Sequence, residues 1–176
     1  MPNANLSAGR ARLIGKAEVV FLALFVAMLG QMAWYYPRLP ERMASHFDVS
    51  GRANAFMPKQ GFMLLNLGVA ALLLLVLLIV PMLIARLPAS MINLPNKDYW
   101  LAPERRAATA RTLQGFMVGF GNMMMLFLLV VLGDAMRASL LPEPHLQGRV
   151  WAMLVALGIF LIYWTVRFLR AFRRPR

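Results

Sequence analysis

Apolar residues gather into four long blocks, and this pattern predicts the fold class. No Asp, Glu, Lys, Arg or His lies inside the blocks, which are bounded by Glu18 and Arg38, Lys59 and Arg86, Arg111 and Asp134, and Arg149 and Arg167. Each interior has about the 17–25 residues that an α-helix needs to cross a hydrocarbon core roughly 30 Å thick. We therefore expect an all-α membrane protein, a bundle of four transmembrane helices with spans at about 17–36, 61–85, 112–134 and 150–168.

The composition supports membrane spans rather than a soluble core. The chain of 176 residues is 60% hydrophobic, with a mean hydropathy of +0.61, more apolar sequence than a soluble domain of this length needs. The fourth block is the shortest, and an interfacial helix is its alternative. Its apolar residues go all round the helix, which favours a span. There are no cysteines, so disulfides and thiolate chemistry are excluded.

The distribution of basic residues predicts the orientation of the spans. The N-terminal, second connecting and C-terminal segments hold thirteen Lys and Arg, against six in the first and third connections. By the positive-inside rule both termini are cytoplasmic. The first connection, 37–60, then faces outward and the second, 86–111, is a cytoplasmic loop. We expect one integral domain in the inner (plasma) membrane as a multi-pass protein.

The basic C-terminal tail "RFLRAFRRPR" directly follows the fourth block. Such juxtamembrane charge is attracted to anionic lipids, at about 1 kcal/mol per basic residue near the surface. We expect the lipid bilayer, and anionic lipids at this tail, to be partners of the chain, and we expect no nucleic acid.

Small and amide side chains predict how the spans meet, because helices in lipid associate through close approach and hydrogen bonds. Gly115, Gly119 and Asn122 share one face of the third span. Gln31 and Asn66 lie toward the outer ends of the first two spans, and Asn122 lies near the centre of the third. We interpret these residues as packing and hydrogen-bonding contacts between helices. A polar ligand or translocation path is the alternative.

The cytoplasmic loop has prolines at 88, 95 and 103, so a regular helix through it is not expected. Pro103 suits the first position of a helix that begins before the membrane, and Glu104 suits its positive end. The residues just ahead of this helix are candidates for ligand or partner contact: Asn96, Lys97, Asp98, Tyr99 and Trp100.

Motifs for catalysis are absent from the sequence, which has no zinc-protease helix, nucleophile elbow or phosphate-binding glycine loop. No ionisable residue lies inside a span, although coupled transporters usually carry one. We therefore expect a protein that is not an enzyme and that has no cofactor.

The first connection carries the most distinctive motif, "YPRLPERMASHFDVSGR". Asp48 can bond the backbone two residues on, and Gly51 supplies a permissive dihedral angle, so this piece is expected to run extended into a turn. His46 would then hydrogen-bond within the loop and anchor it over Gln31 and Asn66. A ligand or partner contact is one alternative. A divalent ion held by His46 and His145 with the acids near them, Asp48, Glu143 and Asp134, is a weaker one.

This stretch, with "ANAFMPK" after it, resembles the membrane family named domain of unknown function 1648. Members show Tyr-Pro-x-Leu-Pro, then Pro-Thr-His-Phe-Asn, a glycine turn and a lysine at the next span. The matching residues here are Pro37, Leu39, Pro40, His46, Phe47, Gly51 and Lys59. Ala44, Ser45 and Asp48 replace the family's proline, threonine and asparagine. "NLPNKDYWLAPERR" is similar to a further segment of many members.

The resemblance implies candidate functions rather than an activity. The same domain occurs in the membrane immunity protein against the sporulation-delaying toxin, which has further membrane segments that this sequence lacks. Immunity or signalling through an outward loop is therefore the first interpretation, with a protein or peptide partner at His46, Phe47, Asp48, Gly51 and Lys59. A lipid-binding or transport-accessory module is the alternative, and a metal enzyme on the outer face is a third.

Overall fold

The computed structural model describes residues 15–83 and 86–173. The expected basic residues Arg10 and Arg12, the last two residues of the predicted second span, and Arg174 and Arg176 of the tail lie outside the described residues. Five α-helices are numbered here: α1 (Lys16–Tyr35), α2 (Lys59–Leu74), α3 (Lys97–Trp100), α4 (Pro103–Ala138) and α5 (Gly148–Ala171). Short 3₁₀ turns occupy Tyr36–Arg38 and Ala89–Met91.

Among the described residues, four helical segments are long and apolar enough to cross a membrane: Lys16–Arg38, Lys59–Ile79, Pro103–Ala138 and Gly148–Ala171. They coincide with the four blocks in the sequence, so a multi-pass membrane protein with four candidate spans is confirmed. Pro103 begins α4, with Glu104 in its first turn, as the sequence predicted. The long α4 therefore starts several turns before its apolar part.

The second span contains a π turn that the sequence did not indicate. α2 continues into a π-helical turn at Leu75–Ile79 and then into an α-helical piece at Val80–Leu83. Pro81 has no N–H to donate to the carbonyl of Leu77, so the regular α-helical hydrogen bonding is interrupted here. Leu77 and Leu78 of the π turn are buried, and this turn packs on α4.

An antiparallel hairpin of two strands lies between α1 and α2, so the expectation of an all-α fold was incomplete. The strands are β1 (Arg42–Phe47) and β2 (Ala53–Pro58), with Met43 opposite Met57. The register shifts around His46. Met43 and Ala44 are both fully buried although they are neighbours in sequence. The strand therefore lacks the strict alternation that identifies a half-buried strand.

α4 is the central helix of the bundle. It packs against α1 along most of its length and also contacts α2, its π turn, α5 and β1. Asn122 of α4 bonds the start of α1, and Arg137 of α4 bonds Tyr35 at its end, so α1 and α4 run parallel. We call the end with the hairpin the hairpin end, and the end with α3 the opposite end.

α5 is the least enclosed of the long helices. Its main helical partner is α4, and Val150 is its one buried residue. The rest of α5 presents partly or fully exposed side chains, most of them apolar, as suits contact with lipid.

Candidate functional site

The hairpin turn is organised by the carboxylate of Asp48. Its Oδ1 accepts hydrogen bonds from the Ser50 N–H at 2.8 Å, the Ser50 hydroxyl at 2.7 Å and the Arg52 N–H at 3.0 Å. Gly51 has a φ of 84°, a left-handed conformation that residues with a β-carbon rarely adopt. The predicted turn-forming roles of Asp48 and Gly51 are therefore confirmed.

These contacts make the turn sensitive to acid. The Ser50 hydroxyl, followed by the Arg52 N–H, holds the pKa of the Asp48 carboxyl below its ordinary value. A carboxyl with a depressed folded-state pKa contributes stability above its unfolded pKa, about 4, and this contribution is lost as pH falls through the lower folded value. We expect acid to speed amide exchange in the turn by protonating Asp48.

The variant Asp48→Asn should lose most of this pH response. Hydrogen exchange of the peptide that spans the turn, compared between pH 6 and pH 3 after correction for intrinsic rates, measures it. Asp98→Asn at the opposite end is the matched control and should exchange like the wild type in this peptide. An unchanged pH response in Asp48→Asn would show that another group controls the turn.

The histidines have separate partners. His46 Nδ1 lies 2.7 Å from Asn54 Oδ1, so its imidazole bonds within the hairpin as the sequence predicted. His145 Nδ1 lies 3.1 Å from the Glu143 carbonyl oxygen. Within residues 15–83 and 86–173, no three histidine or acidic side chains come together as a metal site. Each imidazole therefore bonds a residue of its own connection between helices.

Phe47 and Lys59 connect the hairpin to the bundle. Phe47 is half-buried against the main core, the cluster of buried apolar side chains that α1, α2 and α4 share. Lys59 Nζ lies 2.9 Å from Glu41 Oε1 and 5.0 Å from the centroid of the Tyr36 ring. Its ammonium also lies 3.4 Å from the Leu39 carbonyl oxygen. Lys59 therefore fastens the first turn of α2 to the segment that precedes β1.

The connection between α4 and α5 is hydrogen-bonded to the hairpin turn through its backbone. The Ala53 N–H donates to the Pro144 carbonyl at 3.0 Å, and the Leu146 N–H donates to the Gly51 carbonyl at 2.8 Å. In β1, the Ala44 N–H donates to the Ser139 hydroxyl at 3.2 Å. The hairpin is thereby held on the end of α4, above the last turn of that helix.

A polar cavity lies at this end of the bundle. It has a volume of about 210 Å³ and is lined by Gln31, Leu129, Val130, Gly133, Asp134, Arg137 and Arg149. Asp134 is 2% exposed, and its Oδ1 accepts a hydrogen bond from Arg149 Nε at the start of α5. Arg137 Nε donates to the Tyr35 hydroxyl at 2.6 Å. Three helices thus contribute charged or polar groups to one cavity.

Two acceptor atoms in this cavity lack donors. Gln31 Oε1 and Asp134 Oδ2 are buried, and no donor of the described residues reaches either atom. The Gln31 amide nitrogen occupies the space that a β-carbon at Gly133 would need, so the glycine lets α1 and α4 approach here. Buried acceptors without donors cost free energy, so these two atoms make the packing at this end of the bundle less favourable.

Sequence reasoning only partly found this cavity. It named Gln31 as a contact between helices and Asp134 as one of the acids near the histidines, and it treated Arg149 as the boundary of an apolar block. Asp134 and Arg149 are 15 positions apart and meet only because the chain turns back between α4 and α5. An acid at the end of one span facing a base at the start of the next is the signal that could have identified the pair.

Comparison with known proteins identifies the hairpin region. Residues 23–69 match the family model described as "Domain of unknown function (DUF1648)". The chain carries a DUF1648 segment. The resemblance drawn from the motif is therefore confirmed for this part of the chain, whereas a relation to the immunity protein stays a prediction. No curated protein and no solved structure matches the chain.

The DUF1648 segment contributes only part of the cavity. Gln31 lies inside the matched residues, together with the whole hairpin, and Asp134, Arg137 and Arg149 lie outside them. The match also ends before "NLPNKDYWLAPERR", so the similarity of that segment to other members stays a prediction. The cavity is therefore formed where the DUF1648 segment meets the second half of the chain.

Asn96 and Trp100, two of the predicted contact residues at the opposite end, bond Phe172 just after α5, and we call this set of contacts the clasp. Asn96 Nδ2 and Trp100 Nε1 donate to the Phe172 carbonyl at 3.0 and 2.8 Å. Asn96 adopts a left-handed φ of 54° directly before α3. Arg105 lies over the Tyr99 ring at 4.1 Å. The two hydrogen bonds from Asn96 and Trp100 satisfy the Phe172 carbonyl, which the end of the helix would otherwise leave without a donor.

Lys97 and Asp98 of the same segment are exposed and line a shallow depression with Ser90 and Leu101. Of the five predicted residues of this segment, Asn96, Tyr99 and Trp100 therefore make structural contacts, whereas Lys97 and Asp98 lie on an exposed surface. The prediction that no regular helix runs through this loop is confirmed, because the part before α4 holds a 3₁₀ turn and the short α3 instead of a continuous helix.

The predicted packing residues behave differently from one another. Asn122 Nδ2 donates to the Ala17 carbonyl at 3.2 Å, which confirms a hydrogen bond between helices, although it meets the first turn of α1. Asn66 Nδ2 donates to the Phe62 carbonyl of its own helix, so its predicted contact between helices was wrong. An amide that bonds one turn back is satisfied without a neighbouring helix. The described contacts of His46 also include neither Gln31 nor Asn66.

The prediction that Gly115 and Gly119 pack against a neighbouring helix was wrong within this chain. A β-carbon at Gly115 or Gly119 would meet no atom within 4 Å, because both face a groove between α4 and α5. The close approaches occur at Gly121, where a β-carbon would lie 2.7 Å from Phe21, and at Gly133. The contact face of α4 toward α1 is thus rotated away from the predicted one.

Proposed function

We propose that this protein is a lipid-binding membrane module whose site is the polar cavity at the hairpin end. The observation that carries the proposal is that Arg137 and Arg149 line one polar cavity together with the carboxylate of Asp134. The cavity is formed by the last turns of α1 and α4 and the first turn of α5. Helix ends of this kind lie at the depth of the phospholipid headgroups.

The charges favour an anionic headgroup. Asp134 offsets one of the two arginines, which leaves one positive charge beside the cavity. Each arginine uses its Nε in the described contacts, and guanidinium has further N–H groups at its terminal nitrogens. Arginine binds phosphate through such groups with two parallel hydrogen bonds.

In this proposal the hairpin positions the start of α5. It is bonded to the residues that join α4 to α5, and so it fixes where α5 begins and where Arg149 stands. The DUF1648 segment would then supply Gln31 and the contacts that position α5. Immunity or signalling would require a partner at the hairpin, and it stays a prediction of the resemblance alone.

Phospholipid retention tests the proposal. The full chain is purified from membranes in mild detergent, and native mass spectrometry counts the phospholipids that stay bound. We expect at least one retained phospholipid in the wild type and about tenfold weaker retention in Arg137→Gln, because a charge-assisted contact is lost. Arg111→Gln, an exposed residue of the same helix, is the control and should retain lipid normally. Equal retention in the wild type and Arg137→Gln would refute the proposal.

A further inference from the structure

We infer that the groove between α4 and α5 holds one anionic phospholipid, with its phosphate at Arg167 and an acyl chain along Gly119 and Phe160. The groove has a volume of about 360 Å³ and shares no lining residue with the cavity at the hairpin end. The expected attraction of the basic tail to anionic lipids names no binding site, whereas this groove gives one lipid molecule a defined place.

Aromatic rings form the base of the groove. The rings of Phe116 on α4 and Trp164 on α5 lie 5.7 Å apart between centroids, and Trp164 Nε1 donates to the Phe116 carbonyl at 3.2 Å. Gly115 and Gly119 leave the α4 side of the groove without side chains, and a β-carbon at either would meet no atom within 4 Å. The groove is therefore open enough to take an extended chain of methylene groups.

The groove faces the surroundings of the bundle. Gly121, where a β-carbon would lie 2.7 Å from Phe21 of α1, stands about 160° from Gly119 around the axis of α4. α1 therefore packs on the other side of α4. In the part of the chain that the structure describes, only residues of α4 and α5 line the groove. In a membrane, lipid then has access to it.

The position of the groove across the bilayer matches a phospholipid. A helix needs about 20 residues to cross the hydrocarbon core, and counting them back along α4 from Arg137 at the hairpin end reaches about residue 117. Thr112 and Arg167 then lie on the headgroup side of this boundary, and Gly119 and Phe160 lie on its hydrocarbon side. The polar and apolar ends of the groove thus follow the two parts of a lipid.

The charge on the headgroup side favours an anionic lipid. Arg167 is exposed, and its Nη1 donates to the Tyr163 hydroxyl at 3.3 Å. No Asp or Glu within residues 15–83 and 86–173 forms an ion pair with it. The other N–H groups of the guanidinium can bond two phosphate oxygens in parallel. Arg170 adds a positive charge one turn farther along α5, so a headgroup with net negative charge is attracted more strongly than a zwitterionic one.

Photocrosslinking locates the lipid. The purified full chain in detergent micelles is mixed with phosphatidylglycerol that carries a diazirine on an acyl chain, irradiated, and digested for peptide mass spectrometry. We expect adducts on the peptides that contain Gly119 and Phe160. Unlabelled phosphatidylglycerol should displace the probe at about tenfold lower concentration than phosphatidylcholine with the same acyl chains, because a zwitterionic headgroup offers no net charge to Arg167 and Arg170.

Gly119→Leu and Gly158→Leu form a matched pair of variants. Both add the same side chain at a glycine where a β-carbon would meet no atom within 4 Å, so neither should disturb the fold. Gly119→Leu fills the groove and should reduce the adduct about tenfold. Gly158 is exposed on α5 and does not line the groove, so Gly158→Leu should give as much adduct as the wild type.

Two arginine variants separate the headgroup from the other lipid site. Arg167→Gln should keep part of the adduct and lose most of the preference for phosphatidylglycerol. Arg137→Gln changes the cavity at the hairpin end and should leave the adduct in the groove unchanged. In native mass spectrometry, Arg137→Gln and Gly119→Leu should each remove a different bound lipid.

Equal adduct yields in Gly119→Leu and the wild type would overturn the inference, and so would equal displacement of the probe by both lipids. Loss of the adduct in Gly158→Leu as well would place the lipid outside the groove. A dimer that Gly119→Leu converts to a monomer would assign the groove to a helix of a second copy instead. If Gly119→Leu does not fold, the positions of the adducts on the wild type decide the question.

Discussion

Gly121→Leu is expected to destabilise the folded protein by about 3 kcal/mol, the upper part of the range for overpacking a core. A β-carbon at this position would lie 2.7 Å from Phe21 Cε2 and 3.0 Å from Leu77 Cβ. Phe21 is fully buried, and the Leu77 atom is next to the backbone, so neither can move aside easily. The free energy of unfolding in detergent micelles measures the effect.

Gly119→Leu is the matched control for this substitution. It makes the same change on the same helix, but a β-carbon there would meet no atom within 4 Å. The groove beside it has a volume of about 360 Å³, enough for the new side chain. We expect a change within about 0.5 kcal/mol, as for substitutions without a buried contact. Similar losses in both variants would mean that α4 does not face α1 through Gly121.

The contrast between these two glycines shows what the sequence could and could not predict. Small residues at helical spacing mark places where backbones can come close. Gly115 and Gly119 fit that pattern better than Gly121, which stands alone on its face. The face that α1 occupies depends on Phe21 and on the π turn that delivers Leu77. The sequence near Phe21 and near the π turn does not indicate which face of α4 they contact.

The helices themselves were predictable because lipid imposes their length and composition. The turn at Asp48 and Gly51 was also predictable, since both residues act on nearby backbone. The extended run before that turn was expected, but its pairing with a second strand was missed because Met43 and Ala44 are both buried, one of them against the expected alternation. The cavity depended on contacts between distant parts of the chain, such as Gln31 with Gly133, and these have no local signature.

Phe172→Ala is expected to cost about 3–5 kcal/mol, the usual range for removing a buried aromatic ring. The side chain is 1% exposed and forms an aromatic cluster, with ring centroids 4.9 Å from Phe168, 5.8 Å from Trp100 and 6.0 Å from Phe116. Leu169→Ala, at a residue of α5 that is 53% exposed, is the control and should change stability little. Unfolding in detergent micelles compares the two.

The clasp has a polar part that a third variant isolates. Trp100→Phe keeps most of the ring contact and removes the N–H that donates to the Phe172 carbonyl, so we expect a loss of about 1 kcal/mol, the net value of a typical hydrogen bond. Asn96 still donates to the same carbonyl, which limits the loss. Because α5 has few other buried contacts, the ring of Phe172 should contribute more than any other single side chain to holding this helix on the bundle. If Phe172→Ala lowers the free energy of unfolding no more than Leu169→Ala does, the ring of Phe172 does not hold α5 on the bundle. The other contacts between α5 and α4 would then hold it.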